Sequence, residues 1–162
     1  MKWFLCFLIV ISSYLFGASL SGNEKKKLRS LISVRDLTAE LLRSIEYIRT
    51  PLSEFFDGYK DGFLEETGFL RTLRNRNARD FFSAWEEAGK TLVLTEKAEA
   101  AFISLGSDLG RLPFEEQKKK ARYCLSVFEE EAEALSKTLP DRSKSIKAVS
   151  TLAGIMISIL LI

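Results

Sequence analysis

The chain of 162 residues contains no histidine, so it lacks both the commonest general base and the commonest metal ligand. Any chemistry would have to rest on carboxylates, thiols or a glycine-lined phosphate cradle. Glu65 and Glu66 offer adjacent carboxylates, but nothing around them holds one protonated and the other ionised across a pocket. Cys6 and Cys124 make no zinc site without histidine. Cys6 lies inside an apolar run, which argues against a disulfide between the two. No cofactor, metal or small-molecule substrate is therefore expected.

The glycines are the next candidates. Residues 105–117 read LGSDLGRLPFEEQ, with Leu-Gly repeated at a spacing of four in a chain that has only nine glycines. A phosphate-binding glycine loop follows a strand, opens a helix and carries a lysine and a hydroxyl at fixed spacing. Here no strand pattern precedes the glycines and no Gly-Lys-Ser/Thr follows them. The alternative is a tight corner between two helices. Gly106 and Gly110 share a helix face with Ala98 and Phe102, where a neighbouring backbone can approach closely. Gly110 is placed to be the left-handed residue that stops the helix, and Pro113 suits the first turn of the next one. Gln117 fills a gap in an apolar seam. It is either a hydrogen-bonded corner residue or a contact for another subunit.

Charged runs complete the inventory. Arg71, Arg74, Arg76 and Arg79 could meet phosphates, anionic lipid or an acidic partner, or form a solvated loop and helix start. No aromatic or fold signature for nucleic acid accompanies them, so no nucleic-acid partner is expected. Lys25, Lys26, Lys27 and Arg29 read as a topology signal and a headgroup contact. Glu129, Glu130, Glu131 and Glu133 lack metal-loop spacing and read as the outer face of a helix.

The elements that must position these groups are helical. Residues 3–20 carry no charge and as a helix would span about 27 Å, close to the roughly 30 Å hydrocarbon core. The chain runs uncharged again from Ala148 to Ile162; taken back to Ile146, that segment reaches about 25 Å. Cations follow the first run and precede the last, as Arg142, Lys144 and Lys147 do, which puts the middle of the chain on the cytoplasmic side. The rival for the first run is a cleaved signal peptide, with Gly17, Ala18 and Ser19 near its cleavage site. Net charge is only +2, so the molecule as a whole is no polyanion binder.

Between the ends, Leu28, Leu31, Val34, Leu37, Leu41, Ile45 and Ile48 recur at helical steps. Thr50 is a plausible N-cap and Pro51 suits a first helical position, so a short helix should run from Leu52 toward Tyr59. Residues 78–88 predict another, with Phe81, Phe82 and Trp85 on its buried side. Thr95, followed by Glu96 and Glu99, starts a third. Phe114, Ala121, Leu125, Phe128, Ala132, Leu135 and Leu139 mark a long last helix that Pro140 should end or kink. The fold expected is all-α: an antiparallel helical bundle at 24–140, flanked by transmembrane helices at 3–20 and 146–162.

Four segments together carry a family resemblance. LGSDLGRLPFEEQ resembles the Leu-Gly, Leu-Gly, Gln signature of the stage III sporulation protein AB family. LLRSIEYIRTPLSEFF resembles that family's Ile-x-Tyr-x-x-Thr-Pro-Leu segment, AWEEA its mid-chain tryptophan motif, and STLAGIMISILLI its terminal apolar anchor. Ser44 stands where an acidic residue is expected, and Ala153 interrupts the usual Leu-Gly. The resemblance implies a membrane-anchored, non-enzymatic subunit of the complex built between mother cell and forespore in endospore formers. It implies a central cytoplasmic domain similar to one domain of the inner-membrane platform proteins of type II secretion and type IV pilus systems. The partners it implies are other subunits of the stage III complex, a cytosolic ATPase and the mother-cell membrane around the forespore. The alternative is a membrane-anchored helical interaction module outside sporulation.

Overall fold

The computed structural model describes residues 2–48, 51–75 and 80–161. Every element among them is helical: α1 (Lys2–Arg43), a π-helical turn (Ser44–Ile48), α2 (Leu52–Gly58), α3 (Gly62–Glu66), α4 (Phe69–Leu73), α5 (Phe81–Gly89), α6 (Glu96–Asp108) and α7 (Phe114–Leu161). The chain forms two compact units, one of Met1–Lys26 with Leu135–Ile162, the other of Lys27–Ala134.

In the second unit the α1 stripe is buried as its spacing predicts, with Leu31, Val34, Leu37 and Leu41 at most 1% exposed. Small polar residues widen it. Thr38 returns its hydroxyl to the Val34 carbonyl at 2.8 Å, and the Ser30 hydroxyl accepts from the Val93 amide at 3.2 Å. Serines and threonines at these places are invisible to an apolar count. They are tolerated because each finds a backbone partner.

Helices α6 and α7 run antiparallel. Thr95 and Lys97 near the start of α6 meet Glu131 and Glu130, Ala101 meets Cys124, and Asp108 at its end meets Lys120. Thr95 caps α6, its hydroxyl oxygen accepting from the Ala98 amide at 3.3 Å while its proton goes to Glu131 at 2.7 Å.

Four local expectations need correction. Of the end or kink expected at Pro140, the end does not occur: the 48-residue α7 runs through it. A proline removes one amide donor and crowds one carbonyl, costing about 3 kcal/mol. Strong helix formers on either side can carry that cost. Pro51 is the N-cap of α2 and not its first residue, with φ −55° and ψ 141°; its carbonyl accepts from the Phe55 amide at 3.0 Å. Phe81 and Phe82 are both only half-buried; the fully buried residues of α5 are Ala84, Trp85 and Ala88. The α7 seam takes Cys124 and Val127 in place of Leu125, and Phe114 is 37% exposed. A step of three puts the small thiol under the Ala101 carbonyl, at 3.4 Å.

Among the described residues no helix is long and apolar enough to cross a membrane. The spans expected at 3–20 and 146–162 therefore rest on their uncharged runs of sequence.

Candidate functional site

The repeated Leu-Gly is explained by one tryptophan and one backbone torsion. Trp85 on α5 is 1% exposed and stacks on Phe102 of α6, ring centroids 4.4 Å apart and planes 13° apart. Its indole N–H donates to the Phe102 carbonyl at 2.8 Å. That pose lays the ring against the backbone of Gly106, where an added Cβ would overlap Cγ, Cδ1 and Nε1 of the indole. Gly106 is the slot that admits the ring, so what approaches it is a side chain and not the neighbouring backbone expected there. Phe69 and Phe56 close over it edge-on, with centroids 6.1 and 5.9 Å from that of Trp85.

Gly110 does something else. Its φ is +78°, the left-handed region that glycine enters without steric cost, and a Cβ there would meet only Leu52 Cδ1, at 3.4 Å. The Leu109 amide donates to the Leu105 carbonyl at 3.1 Å, and the amides of Arg111 and Leu112 both donate to the Asp108 carbonyl at 3.2 Å. The chain then turns at Pro113, whose carbonyl accepts from the Glu116 and Gln117 amides at 3.0 Å. Pro113 thus precedes the first helical residue, Phe114. The half-buried Gln117 donates its side-chain amide to the Leu112 carbonyl at 2.6 Å, tying the new helix back to the corner.

Beside this corner lies a hollow of about 420 Å³. Leu52 and Phe56 of α2, Leu73 of α4, Phe81 and Phe82 of α5, and Leu109 form its apolar part, and Asp57, Arg74, Asp80 and Arg111 reach its rim. Arg74 is committed to the fold. Its guanidinium donates to the Phe56 carbonyl at 2.9 Å and to the Tyr59 carbonyl, and faces Glu65 at 3.7 Å. It satisfies the carbonyl end of α2. Asp80 caps α5, accepting from the Ser83 amide at 2.7 Å. Hydrogen bonds from Ser83 hold its carboxyl below the usual carboxylate range, so it is an ionised cap and no proton donor.

The remaining predicted residues are spread widely. Lys25, Lys26 and Arg29 are exposed, Lys27 is partly covered, and Arg71 is exposed on α4. Thr50, Arg76 and Arg79 lie outside the described residues. Glu65 and Glu66 are both exposed. Cys124 is fully buried, and burial pushes its thiol up to about 11, far from a nucleophile's range. Among the described residues no cluster of acidic or thiol side chains could hold a metal ion.

Sequence reasoning missed the π-helical turn. Glu46 within it pairs with Arg122 and, at 3.3 Å, with Lys118, which fastens the turn to α7. An acidic side chain inside an otherwise apolar segment was the available signal. Ser44, at the start of the turn, is only 6% exposed, a place suited to a small side chain.

The profile of the stage III sporulation protein AB family matches residues 2–162. The chain belongs to that family. Its membership places the protein in stage III of sporulation. No curated protein and no solved structure matches the chain. Three of the four segments that carry the family likeness meet in the helical unit: Leu52 and Phe56 from one, Trp85 from another, and Gly106 and Gly110 from the third line or abut the same hollow. The family signature is therefore, in this chain, largely a packing signature.

Proposed function

We propose that this chain is a non-enzymatic, membrane-anchored adaptor of the complex that joins mother cell and forespore. The helical unit faces the mother-cell cytoplasm and couples a cytosolic ATPase to membrane subunits of the complex. The uncharged ends anchor it in the mother-cell membrane around the forespore. Its role would parallel that of the platform proteins of secretion and pilus systems.

The observation that carries this reading is the family match over residues 2–162 of a chain uncharged at 3–20 and again from 148 to its end. Supporting it, Arg74 and Asp80 at the hollow serve the fold, one as a clamp on α2 and the other as the cap of α5. Cations flank both apolar runs on the side toward the middle of the chain, the pattern of a cytoplasmic centre.

A mild-detergent pull-down of the tagged protein from sporulating cells, with mass spectrometry of the eluate, tests the reading. Co-purification of a cytosolic ATPase with other membrane subunits is expected. Recovery of the protein alone, from membranes that retain other complexes, would count against the adaptor role. Equal recovery of the same partners from vegetative cells would favour an interaction module outside sporulation.

A further inference from the structure

We infer that Lys25, Lys26 and Lys144 bind the phosphate headgroups of anionic phospholipids. The inference rests on the membrane-anchored reading and adds a lipid preference to it.

All three lysines are exposed and belong to the unit of Met1–Lys26 and Leu135–Ile162. Among the described residues none of the three makes an ion pair or side-chain hydrogen bond. The helical unit treats many of its cations differently. Lys97 meets Glu130 at 2.9 Å, Lys120 meets Asp108 at 3.2 Å, and Lys118 and Arg122 share Glu46. Among the described residues Lys25, Lys26 and Lys144 thus have no counter-charge, and they are open to an external anion.

What identifies the anion as lipid is the surface next to them. On the C-terminal part of α7, Val149, Leu152 and Met156 are 65%, 61% and 65% exposed. Their steps of three and four set them on one helix face. This apolar stripe begins five residues beyond Lys144. Lys25 and Lys26 likewise lie just past the uncharged run at 3–20. Unpaired ammonium groups beside outward-facing aliphatic side chains match a membrane interface, where the stems lie along the acyl boundary and the heads reach the phosphates. An acidic protein would satisfy the charges but not the stripe.

The test uses the full chain reconstituted in vesicles of equimolar phosphatidylcholine and phosphatidylglycerol, re-extracted in mild detergent, with the retained lipid quantified by mass spectrometry. Phosphatidylglycerol should be enriched about fivefold or more, the ratio one cation near an anionic surface supplies. The enrichment should fall steeply with salt. The combined variant K25Q/K26Q/K144Q should lower the enrichment by about half or more while keeping its helical circular dichroism, and K25R/K26R/K144R should keep the enrichment. A wild-type chain that retains both lipids equally, or a glutamine variant as selective as wild type, overturns the inference and leaves the anchor standing. A chain that never enters the vesicles overturns the anchor and the inference together. Loss of the enriched lipid to inorganic phosphate, but not to chloride at matched ionic strength, would assign the lysines to a soluble phosphate and sink the headgroup reading.

Discussion

Around Gly106 and along the C-terminal part of α7, apolar side chains meet opposite fates. Trp85, Phe69 and Phe102 are at most 1% exposed and spend their surface on one another. Val149, Leu152 and Met156 keep more than half of theirs. Burying a large apolar side chain stabilises a fold by roughly 1.5–3 kcal/mol. The first group therefore contributes to folding, and the second leaves its surface uncovered within the chain. Substitutions in the two places should register in different measurements.

The largest effect is expected at Trp85. Trp85→Ala removes a stacked ring and leaves the Phe102 carbonyl without its indole donor. The cost should be about 3–5 kcal/mol, read by urea unfolding of the full chain in detergent. A loss below about 1 kcal/mol would mean that the ring is not the centre of this core.

The glycines come next and should separate. Gly106→Ala drives a methyl into the indole and must displace it, at an expected cost of about 1–3 kcal/mol or more. Gly110→Ala has room for its methyl and faces only the left-handed torsion, about 1–2 kcal/mol. The two differ in their coupling to the ring. Trp85→Phe should relieve part of the Gly106→Ala penalty and leave that of Gly110→Ala unchanged, since only the first glycine touches the indole. Additive losses for both pairs would contradict the slot.

These same residues show how far the sequence could be read. Periodicity and caps placed α1, α2, α5, α6 and α7, because an apolar stripe is what a helix needs in order to bury a face; the short α3 and α4, in a stretch that Gly58, Gly62 and Gly68 were expected to loosen, were missed. The corner was legible in Gly110 and Pro113, since local torsion is written in those residue types. The reason for Gly106 was not legible, because it depends on where an indole twenty-one positions earlier comes to rest. Arg74 looked like one more cation of an arginine run, yet it clamps the carbonyl end of α2. Nothing near it in sequence encodes that long-range choice. At Pro140 the sequence left an end and a kink both open, and α7 does not end there, because a local breaker signal is outweighed by helix on both sides.

A third prediction addresses the exposed stripe. Val149→Ser, Leu152→Ser and Met156→Ser together should change the denaturant stability of the helical unit by less than about 0.5 kcal/mol, the range usual for surface positions. They should also reduce retention of the chain in vesicles. An unfolding penalty comparable to that of Trp85→Ala would show that the stripe belongs to a core after all.

The smallest effect concerns the carboxylate that fastens the π-helical turn to α7. The Glu46 side chain is 16% exposed. Partial burial alone would raise its pKa, but hydrogen bonds and charge from Arg122 and Lys118 outweigh burial and hold it below the usual carboxylate range. The sign of the linkage follows. A carboxylate depressed in the folded state contributes its stability above its unfolded pKa and loses it as pH falls through the lowered folded value. Glu46 should therefore titrate, by the chemical shift of its carboxyl carbon, below an exposed glutamate of the same chain. Arg122→Ala should move that midpoint upward, and Glu46→Gln should flatten the acid limb of the stability profile slightly. An Arg122→Ala chain with an unmoved Glu46 midpoint would show that the ion pair does not hold the turn, and that the turn is kept by the packing of α1 alone.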